Sequence, residues 1–239
     1  MDIVIGTAGW SIPAKEREHF PGEGSALERY AARFAGVEIN SSFHRSHRDS
    51  IWQRWAEGVP PGFRFSVKAP KTITHVSKLV DCGELVERFL EETRPLGDKL
   101  AVILVQLPPK LAFHEALAES FFTLLAERAS PKIACEPRHP SWFEDEADAL
   151  LDRLRVARVA ADPAIVPAAA SPGGWRGFAY WRLHGSPSMY RSSYDNARLE
   201  AYARAIRDAG AAETWCMFDN TAASQATGNA LELMAKLKT

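Results

Sequence analysis

The sequence predicts an α/β fold of the TIM-like (β/α)8-barrel class. Eight short apolar runs of strand length, rich in β-branched and aromatic residues, recur along the chain, and helical patterns follow most of them. The 239 residues, 46% of them hydrophobic, are enough for one large core, so we expect residues 1–239 to form a single domain. A doubly wound open sheet is the alternative, although no G-x-G-x-x-G motif follows the first run. The predicted strands are Ile3–Gly9, Val37–Phe43, Arg64–Ala69, Ala101–Leu107, Lys132–Pro137, Arg158–Asp162, Phe178–His184 and Thr214–Asp219.

Capping signals mark several of the predicted helices. Ser25–Glu28 and Ser141–Glu144 both match the S-x-x-E capping box that begins many helices. Asp195 is expected to cap the helix after the seventh strand, and Gly210 is expected to end it. Apolar residues recur at helical spacing after Ser25 and after Asp195, which favours amphipathic helices at both places.

The segment after the sixth predicted strand interrupts the alternation. Residues 163–177 read PAIVPAAASPGGWRG, which contains too many prolines and glycines for an ordinary helix. We therefore expect an irregular segment that replaces or distorts the helix after strand six.

Polar side chains stand where nearly every predicted strand ends. In barrels of this class, the chemistry is found at the C-terminal ends of the strands. Alternation places Glu136 and Arg138 on one face of their strand, and it does the same for Arg182 and His184. If these faces point inward, the polar groups converge on one pocket. The candidate site residues are Glu38, Asn40, Lys68, His75, Gln106, Glu136, Arg138, His139, Asp162, Arg182, His184, Tyr194 and Asn220.

The residue types in this set point to acid–base chemistry on an anion. We predict Glu136 as the general acid or base and His184 as a second proton-transfer group or positioning donor. The other candidates are predicted to bind substrate, with Lys68, Arg138 and Arg182 holding its negative charge. Tyr194, in the SPSMYRSSYD segment, is expected to close over the ligand as part of a lid. The alternative is that these groups form structural ion pairs with one another.

Cations are concentrated near the candidate site although the formal net charge of the chain is only -1. Such a pocket favours phosphate or carboxylate, and arginine adds directional hydrogen bonds to these groups. We therefore expect an anionic small molecule as the partner, and hydrolysis or isomerisation of a phosphorylated sugar or nucleotide-like compound as the reaction. The further cations are Arg45, Arg48, Lys71 and Arg191, and the aromatic residues that could stack on a base or sugar are Trp10, Trp142, Tyr190 and Tyr194.

Two other functions remain open. The first is a non-catalytic module that binds a nucleotide or a nucleic-acid end, with residues 43–55 as a basic and aromatic rim. The purely structural interpretation of that segment is an amphipathic helix capped by Asp49. The second is a metal-dependent phosphoesterase, although no H-x-H or H-E-x-x-H spacing supports it. Its candidate metal ligands are Glu136, His139, Asp162, His184 and Asp219.

Composition excludes several classes of site. The three cysteines, Cys82, Cys135 and Cys216, are far apart, so neither a disulfide framework nor a cysteine zinc site is expected. We find no nucleotide-cofactor motif, and the cofactor is not identified by the sequence. No signal peptide or apolar run of membrane-spanning length is present. We expect a cytoplasmic protein without a membrane partner, and the sequence does not indicate an oligomeric state.

Several blocks of the sequence resemble the DUF72 (YecE-like) family. They are IGTAGWS at 5–11, VEINSSFHR at 37–45, FRFSVKAPKTITH at 63–75, VQLPPKL at 105–111, EPRHPSWF at 136–143, WRLHG at 181–185 and FDNTAASQATGNALEL at 218–233. The resemblance implies a TIM-barrel-like fold but no reaction, because the family is named for its unknown function. The family pattern usually has a tyrosine where His44 stands and a proline close to Ser46 or His47, and it often has an asparagine where Asp219 stands. These departures affect the stacking or hydrogen bonding that the tyrosine would supply, and they add a charge at Asp219.

Overall fold

Strands and helices alternate along the chain. The computed structural model describes residues 2–238, and within them it contains ten β-strands and seven α-helices. The strands are β1 (Asp2–Thr7), β2 (Gly36–Ile39), β3 (Arg64–Lys68), β4 (Leu100–Gln106), β5 (Lys132–Glu136), β6 (Val156–Arg158), β7 (Ala160–Asp162), β8 (Gly173–Gly174), β9 (Phe178–Leu183) and β10 (Glu213–Phe218). The α-helices are α1 (Ala26–Ala31), α2 (Asp49–Glu57), α3 (Gly83–Thr93), α4 (Glu115–Arg128), α5 (Asp145–Arg153), α6 (Asn196–Asp208) and α7 (Ala226–Lys238).

The strands form two sheets whose neighbours are parallel, apart from the short antiparallel pair β6–β8. The orders are β1-β10-β9-β7 and β2-β3-β4-β5-β6-β8. One extended stretch serves both sheets, because β6 pairs with β5 while β7, which follows after Val159, pairs with β9. At the other edge, a parallel bridge joins Ala8 to Glu38, and Gly9 N donates to Glu38 O at 2.8 Å. The predicted α/β class with parallel strands is confirmed.

Each predicted strand overlaps an observed one, with differences at the ends. β2 stops at Ile39, because Ser41–Phe43 turn into a short 3-10 helix. The sixth predicted strand is divided into β6 and β7, and their shared course begins two residues earlier than predicted, at Val156. These differences leave the order of the elements unchanged.

Two hydrophobic clusters lie on opposite faces of the strands. On β4, Val102 and Leu104 belong to one cluster while Ile103 and Val105 belong to the other. The first cluster, which includes Trp215 of β10, consists almost entirely of strand residues, and the second also contains the apolar faces of the helices. Because side chains alternate along a strand, this division fixes which polar residues share a face with the first cluster.

Of the four predicted N-caps, two are confirmed and two, at Ser141 and Asp49, are wrong. At α1, Glu28 N donates to Ser25 Oγ at 3.3 Å and Ser25 N donates to Glu28 Oε2 at 2.7 Å. Asp195 accepts from Arg198 N at 2.8 Å and begins α6, which ends just before Gly210 at φ 68°. The predicted capping box at Ser141 is wrong, because Ser141 lies in a 3-10 helix that spans Pro140–Phe143.

The basic segment before α2 also begins its helix differently from the prediction. Asp49 is not the N-cap, because it is the first residue of α2 and Arg48 occupies the capping position. Trp52 is fully buried and Trp55 is half-buried, as expected for an amphipathic helix. The tryptophans therefore belong to the core and its edge.

The irregular segment after strand six is confirmed. Between β7 and β9, the described residues 163–177 contain a 3-10 helix at Pro167–Ala170 and the short strand β8, with no α-helix. Arg158 holds this segment by donating from Nη1 to Ala168 O at 3.1 Å. Asp148 of α5 accepts from both Arg158 Nε and Gly174 N, at 2.8 and 2.7 Å. Side-chain hydrogen bonds thus replace the packing of a helix.

The remaining composition-based expectations concern cysteines and membranes. Cys82, Cys135 and Cys216 are free and buried, and burial raises the pKa of the Cys135 and Cys216 thiols. None of the described helices has both the length and the apolar character that crossing a membrane would require.

Candidate functional site

Arg182 is the centre of the candidate site and is 1% exposed. Its guanidinium donates to Glu38 twice, from Nε to Oε2 at 3.0 Å and from Nη2 to Oε1 at 2.6 Å. It also donates from Nη1 to Glu136 Oε2 at 2.6 Å and from Nη2 to Asp219 Oδ2 at 2.9 Å. Burial alone would lower the pKa of Arg182, but these three carboxylates outweigh it and hold that pKa well above its ordinary value.

These residues and their polar neighbours form one connected group at the C-terminal ends of the strands. We call it the mouth cluster, and it consists of Glu38, Lys68, Glu136, Arg138, Arg182, His184 and Asp219. Its members come from β2, β3, β5 and β9 and from the residues that follow β5, β9 and β10. The sequence placed all seven at strand ends, and the structure brings them together.

His184 lies between two carboxylates and is fully buried. Nδ1 is 3.0 Å from Asp219 Oδ2, and Nε2 is 2.8 Å from Glu136 Oε1. A ring that donates from both nitrogens satisfies both carboxylates. Arg138 Nη2, 2.9 Å from His184 Nε2, is itself a donor and bonds to the same Glu136 oxygen at 2.7 Å. The ring is therefore oriented at both ends, and both of its nitrogens contact protein groups.

Glu136 has both carboxylate oxygens engaged. Burial would raise the pKa of Glu136, but Arg182, Arg138 and His184 outweigh it and hold that pKa well below the ordinary value. Asp219 behaves in the same way: burial opposes its charge, and Arg182 and His184 lower its pKa. Both groups are thus carboxylates near neutral pH, and Glu136 is a poor proton donor there.

Tyr180 forms the floor beneath the mouth cluster. Its hydroxyl donates to Glu38 Oε2 at 2.8 Å and lies 3.0 Å from Ser66 Oγ. Burial and the Glu38 charge raise the pKa of Tyr180 well above its ordinary value. Below it, Trp215 stacks at a ring distance of 6.2 Å. Polar groups therefore give way to an apolar interior one layer below the mouth cluster.

Lys68 is the member of the mouth cluster that has no hydrogen bond or ion pair through its ammonium group with any described residue. Its Nζ stands 4.2 Å from the centre of the Phe43 ring. Burial, followed by the charge of Arg182, lowers the pKa of Lys68 to about 8, although the three carboxylates of the cluster partly oppose this change. Lys68 therefore carries donor capacity that the protein itself does not use.

Four other predicted residues lie around the mouth cluster. Gln106 pairs in register with Glu136 and uses its Nε2 on Leu107 O at 2.9 Å. His75 packs edge-on against Phe43 at 4.9 Å, and its pKa is lowered by burial and by Lys68. The Oδ1 atoms of Asn40 and Asn220 are both buried without a hydrogen-bond partner. Asn220 donates from Nδ2 to Ser192 O and to Asn229 Oδ1, and these hydrogen bonds fix the loop after β9.

Three predicted residues make their contacts elsewhere. His139 caps the 3-10 helix, with Nδ1 2.8 Å from Ser141 Oγ. Asp162 accepts from Tyr194 OH and from Arg198 Nη2, both at 2.7 Å. Tyr194 is 4% exposed, and its hydroxyl also accepts from Gly185 N at 2.7 Å, so it packs inside its loop and does not form an open lid.

The further cations and aromatics of the sequence analysis divide into exposed and packed groups. Arg45, Arg48, Lys71 and Arg191 are exposed on loops that follow strands. Trp142 is 1% exposed and donates from Nε1 to Leu111 O at 2.9 Å, which is a core contact. Among the aromatics, Tyr190 covers the imidazole of His184 edge-on at 5.6 Å and is 42% exposed.

The predicted metal ligands do not form one site. His139 and Asp162 have the separate partners described above, whereas Glu136, His184 and Asp219 surround Arg182. Within residues 2–238, no group of three or more His, Cys, Asp or Glu side chains is arranged to hold a metal ion. The guanidinium that neutralises these carboxylates would also oppose a nearby cation.

Two pockets frame the strands at opposite ends. A pocket of about 440 Å³ adjoins Asn40 and is lined mainly by β1 and β2 ends, including Gly9, Trp10 and Ile39. A larger groove of about 1020 Å³ lies where β3, β4, β5 and β10 begin, between residues such as Arg64 and Lys132. The smaller pocket is therefore the one on the same side as the mouth cluster.

Sequence reasoning missed Tyr180, Ser66 and Phe43. Tyr180 and Ser66 stand two residues before Arg182 and Lys68 on the same faces, so the alternation that found the latter also indicates the former. Phe43 has no such signal, because it leaves β2 in a 3-10 helix before it meets Lys68.

Comparison with known proteins identifies relatives of the whole fold. Residues 4–239 match the family model described as "Protein of unknown function DUF72". The UPF0759 protein YecE of Escherichia coli is 33% identical over 152 residues, which cover 63% of this chain and 54% of YecE. The UPF0759 protein YunF of Bacillus subtilis is 24% identical over 59% of this chain and 52% of its own. The chain thus spans about half the length of these two relatives.

Solved structures show the same fold at lower identity. A DUF72 family protein from Thermotoga maritima has a TM-score of 0.82 and 24% identity, with all of both chains covered. One from Enterococcus faecalis has a TM-score of 0.83 and 20% identity, covering 99% of this chain and 96% of that one. A xylose isomerase-like TIM barrel/4-hydroxyphenylpyruvate dioxygenase fusion protein has a TM-score of 0.55 and 16% identity, covering 99% of this chain and 42% of that one. The family model spans nearly the whole chain, and this protein therefore belongs to the DUF72 family, whose function is unknown.

Proposed function

We propose that this protein binds an anionic small molecule at the mouth cluster, with Lys68 and Arg138 as the cations that meet it. The observation that carries the proposal is the half-buried ammonium of Lys68, which has no hydrogen-bond partner among the described residues. A half-buried charge without a hydrogen-bond partner has lost part of its hydration, and a bound phosphate or carboxylate would compensate for that loss. Arg138 supports the same site, because its Nε is buried and unpaired.

We also infer that the eight main strands close into one distorted (β/α)8 ring, with β6 and β7 acting as a single strand. The shared course of β6 and β7 and the Ala8–Glu38 bridge support this ring. The side chains support it further, because Arg182 of β9 reaches Glu38 of β2 and Glu136 of β5. A ring of this kind would give the mouth cluster the position that active sites occupy in TIM barrels.

In this proposal, Arg182 organises the site and does not clamp the ligand. Its contacts with Glu38, Glu136 and Asp219 use all three nitrogens of the guanidinium. Its role is to fix three carboxylates, two of which, Glu136 and Asp219, in turn orient Arg138 and His184. Of the three residues predicted from the sequence to hold the anion, Lys68 and Arg138 keep this task and Arg182 does not.

The oriented His184 makes the site suited to catalysis. Asp219 at Nδ1 aligns the ring, and Nε2 meets Glu136 and Arg138. A ligand bound at Arg138 would replace the Glu136 contact of Nε2, and His184 would then move a proton on this ligand, while ionised Glu136 would still hold the two cations in place. The reaction class that fits is isomerisation or hydrolysis of a phosphorylated sugar or nucleotide-like compound. The proposal uses no metal or nucleotide cofactor.

The neighbouring pocket would hold the uncharged part of the ligand. Its volume of about 440 Å³ is within the range of small-molecule sites, and its lining by Trp10 and Ile39 offers apolar contact. Asn40 lines this pocket two residues after Glu38 in the sequence, and its buried Oδ1 has no hydrogen-bond partner. A sugar hydroxyl would satisfy that acceptor.

Calorimetric titration of ribose 5-phosphate and inorganic phosphate tests the proposal. The wild type is expected to bind, and Lys68→Met and Arg138→Met are each expected to weaken binding by about tenfold or more. Lys238→Met and Arg204→Met are the matched controls, because both residues are exposed on helices. Equal affinities in all five proteins, or no binding by wild type, would remove the proposal.

A second candidate is a site for a nucleotide or a nucleic-acid end. The exposed Arg45, Arg48, Lys71 and Arg191 on the surrounding loops favour it. Binding of a short single-stranded oligonucleotide should then be tighter than that of ribose 5-phosphate and should fall steeply with salt. Oligonucleotide binding that is weaker than sugar phosphate binding would reject this candidate.

A further inference from the structure

We infer that Lys68 is a nucleophilic amine that condenses with a carbonyl group of the bound anion. The ligand class is then a phosphorylated or carboxylated aldehyde or ketone. This inference rests on the proposed function, since it requires an anion at the mouth cluster. It goes further, because it gives Lys68 a covalent role that electrostatic binding does not need.

The placement of Lys68 suits a reactive amine. It is the last residue of β3, two positions after Ser66, so its side chain follows the same enclosed face into the mouth cluster. Its main-chain oxygen accepts from Ser42 Oγ at 2.7 Å, which fixes the backbone from which the side chain extends. Nζ itself contacts the face of Phe43 and bonds to none of the described residues. The nitrogen is thus held in position while remaining available to a ligand.

The surroundings of Lys68 also increase the fraction of free amine near neutral pH. An ammonium ion is not a nucleophile, so an imine-forming lysine must lose its proton readily. Burial and the nearby Arg182 lower the pKa of Lys68 to about 8. The Phe43 ring covers Nζ on one side at 4.2 Å, and His75 packs edge-on against that ring at 4.9 Å.

The condensation balances without any other reagent. Lys68 Nζ, as the free amine, attacks the carbonyl carbon, and a carbon–nitrogen bond forms while the carbonyl π electrons move to oxygen. The oxygen then leaves as water, whose two hydrogens come from the amine, and a carbon–nitrogen double bond remains. When protonated, this imine carries the charge that the ammonium carried, so the carboxylates of Glu38, Glu136 and Asp219 stabilise it equally. Hydrolysis reverses the sequence.

Reductive trapping tests the inference. The wild-type protein is treated with glyceraldehyde 3-phosphate and sodium cyanoborohydride at pH 7, and labelling at each lysine is followed by peptide mass spectrometry. Lys71, three residues away and exposed, is the internal reference. We expect Lys68 to be labelled at least about tenfold faster than Lys71, because a larger fraction of it is unprotonated. Excess inorganic phosphate is expected to slow labelling at Lys68 and leave Lys71 unchanged.

A Lys68→Arg protein separates covalent chemistry from charge. It keeps the cation but lacks a nucleophilic amine, so phosphate binding by calorimetry should persist while the adduct at position 68 is lost. Labelling of wild-type Lys68 no faster than Lys71, with phosphate binding intact, would overturn the imine and leave the anion site standing. Absence of both labelling and phosphate binding in wild type would overturn the two proposals together. The wild-type rate comparison stands even if the variant does not fold.

Discussion

Arg182 and Glu38 form a bidentate ion pair inside the protein, with nitrogen–oxygen distances of 3.0 and 2.6 Å and exposed fractions of 1% and 0%. The pair links β9 to β2, which belong to different sheets. Parallel N–H donors of a guanidinium match the two oxygens of a carboxylate, so the pair fixes both side chains in one geometry. The same arginine holds Glu136 and Asp219, and the candidate site therefore depends on a single buried cation.

Replacing Arg182 by methionine is expected to lower the free energy of unfolding by about 3–5 kcal/mol, because three buried carboxylates lose their shared partner. Urea denaturation followed by circular dichroism measures this change. Arg153→Met is the matched control, because Arg153 is exposed and pairs with Glu119 at 2.9 Å on the surface. That control should change the free energy of unfolding by less than about 1 kcal/mol. Similar values for both variants would mean that the three buried carboxylates do not depend on Arg182 for the stability of the fold.

Glu136→Gln is expected to change the acid sensitivity of the fold. The folded-state pKa of Glu136 lies well below its ordinary value, so between the two values the unfolded state binds more protons than the folded state. The stabilisation from this carboxylate is complete above its unfolded pKa of about 4.3 and is lost as pH falls through the folded pKa. Near neutral pH, the variant should lose at least about 2 kcal/mol.

The measurement for Glu136 is the free energy of unfolding from pH 7 down to pH 3. The gap between wild type and Glu136→Gln should narrow as the pH falls, because wild type loses the contribution that the variant never had. Glu127→Gln, at an exposed position on α4, is the control and should follow wild type throughout. A gap that stays constant with pH would show that Glu136 has no depressed pKa in the folded protein.

Lys68→Met is expected to stabilise the protein at pH 7 by about 1–3 kcal/mol, because it removes a half-buried ammonium whose pKa is lowered. Burial and Arg182 disfavour this charge, and Glu38, Glu136 and Asp219 only partly compensate. Between pH 8 and about 10.4 the unfolded state holds the proton that the folded state has released, so wild type gains stability as pH rises. The advantage of the variant should therefore shrink toward pH 10.

Denaturant titrations at pH 7, 8.5 and 10 measure the Lys68 effect. Lys110→Met is the control, since Lys110 is exposed and its replacement should change stability by less than about 0.5 kcal/mol at every pH. If Lys68→Met is destabilising at pH 7, the ammonium makes favourable contacts and the argument for an unsatisfied cation fails. Residues that bind a ligand often lower the stability of the folded protein, so a destabilising cation is expected at a binding site.

Alternation explains why most of the mouth cluster was predictable. Glu136 with Arg138, and Arg182 with His184, occur at spacing two on strands that all run in the same direction, so their side chains must meet at one end. The same rule extends down to Tyr180, which was overlooked because an aromatic residue inside a strand is usually part of the core. Local sequence thus determines which face a residue occupies.

The partners of each residue could not be predicted in the same way. Arg182 binds several carboxylates because β2, β5 and β9 lie close together at this point. A short sequence pattern does not contain these distances. The conformations of the loops could not be predicted from the sequence either. Tyr194 was expected to cover the ligand, yet it is buried on Asp162, while Tyr190 with φ 66° turns outward over His184. Side-chain competition within a loop decides such outcomes.

Asp219→Asn is expected to strengthen phosphate binding by about three- to tenfold, because it removes one negative charge from a buried site whose remaining groups are unchanged. Asp219 accepts from Arg182 and His184, and an asparagine of the same shape can still accept from one of them. Titration calorimetry with inorganic phosphate measures the change.

The control for Asp219 is Asp152→Asn, at an exposed position on α5, which should leave phosphate affinity within about twofold of wild type. The gain at Asp219 should persist in moderate salt, because buried charges are screened much less than exposed ones. Weaker or unchanged phosphate binding by a folded Asp219→Asn protein would mean that the anion does not sense the charge of the mouth cluster. Binding would then have to be sought at the exposed cations of the surrounding loops, where salt would abolish it.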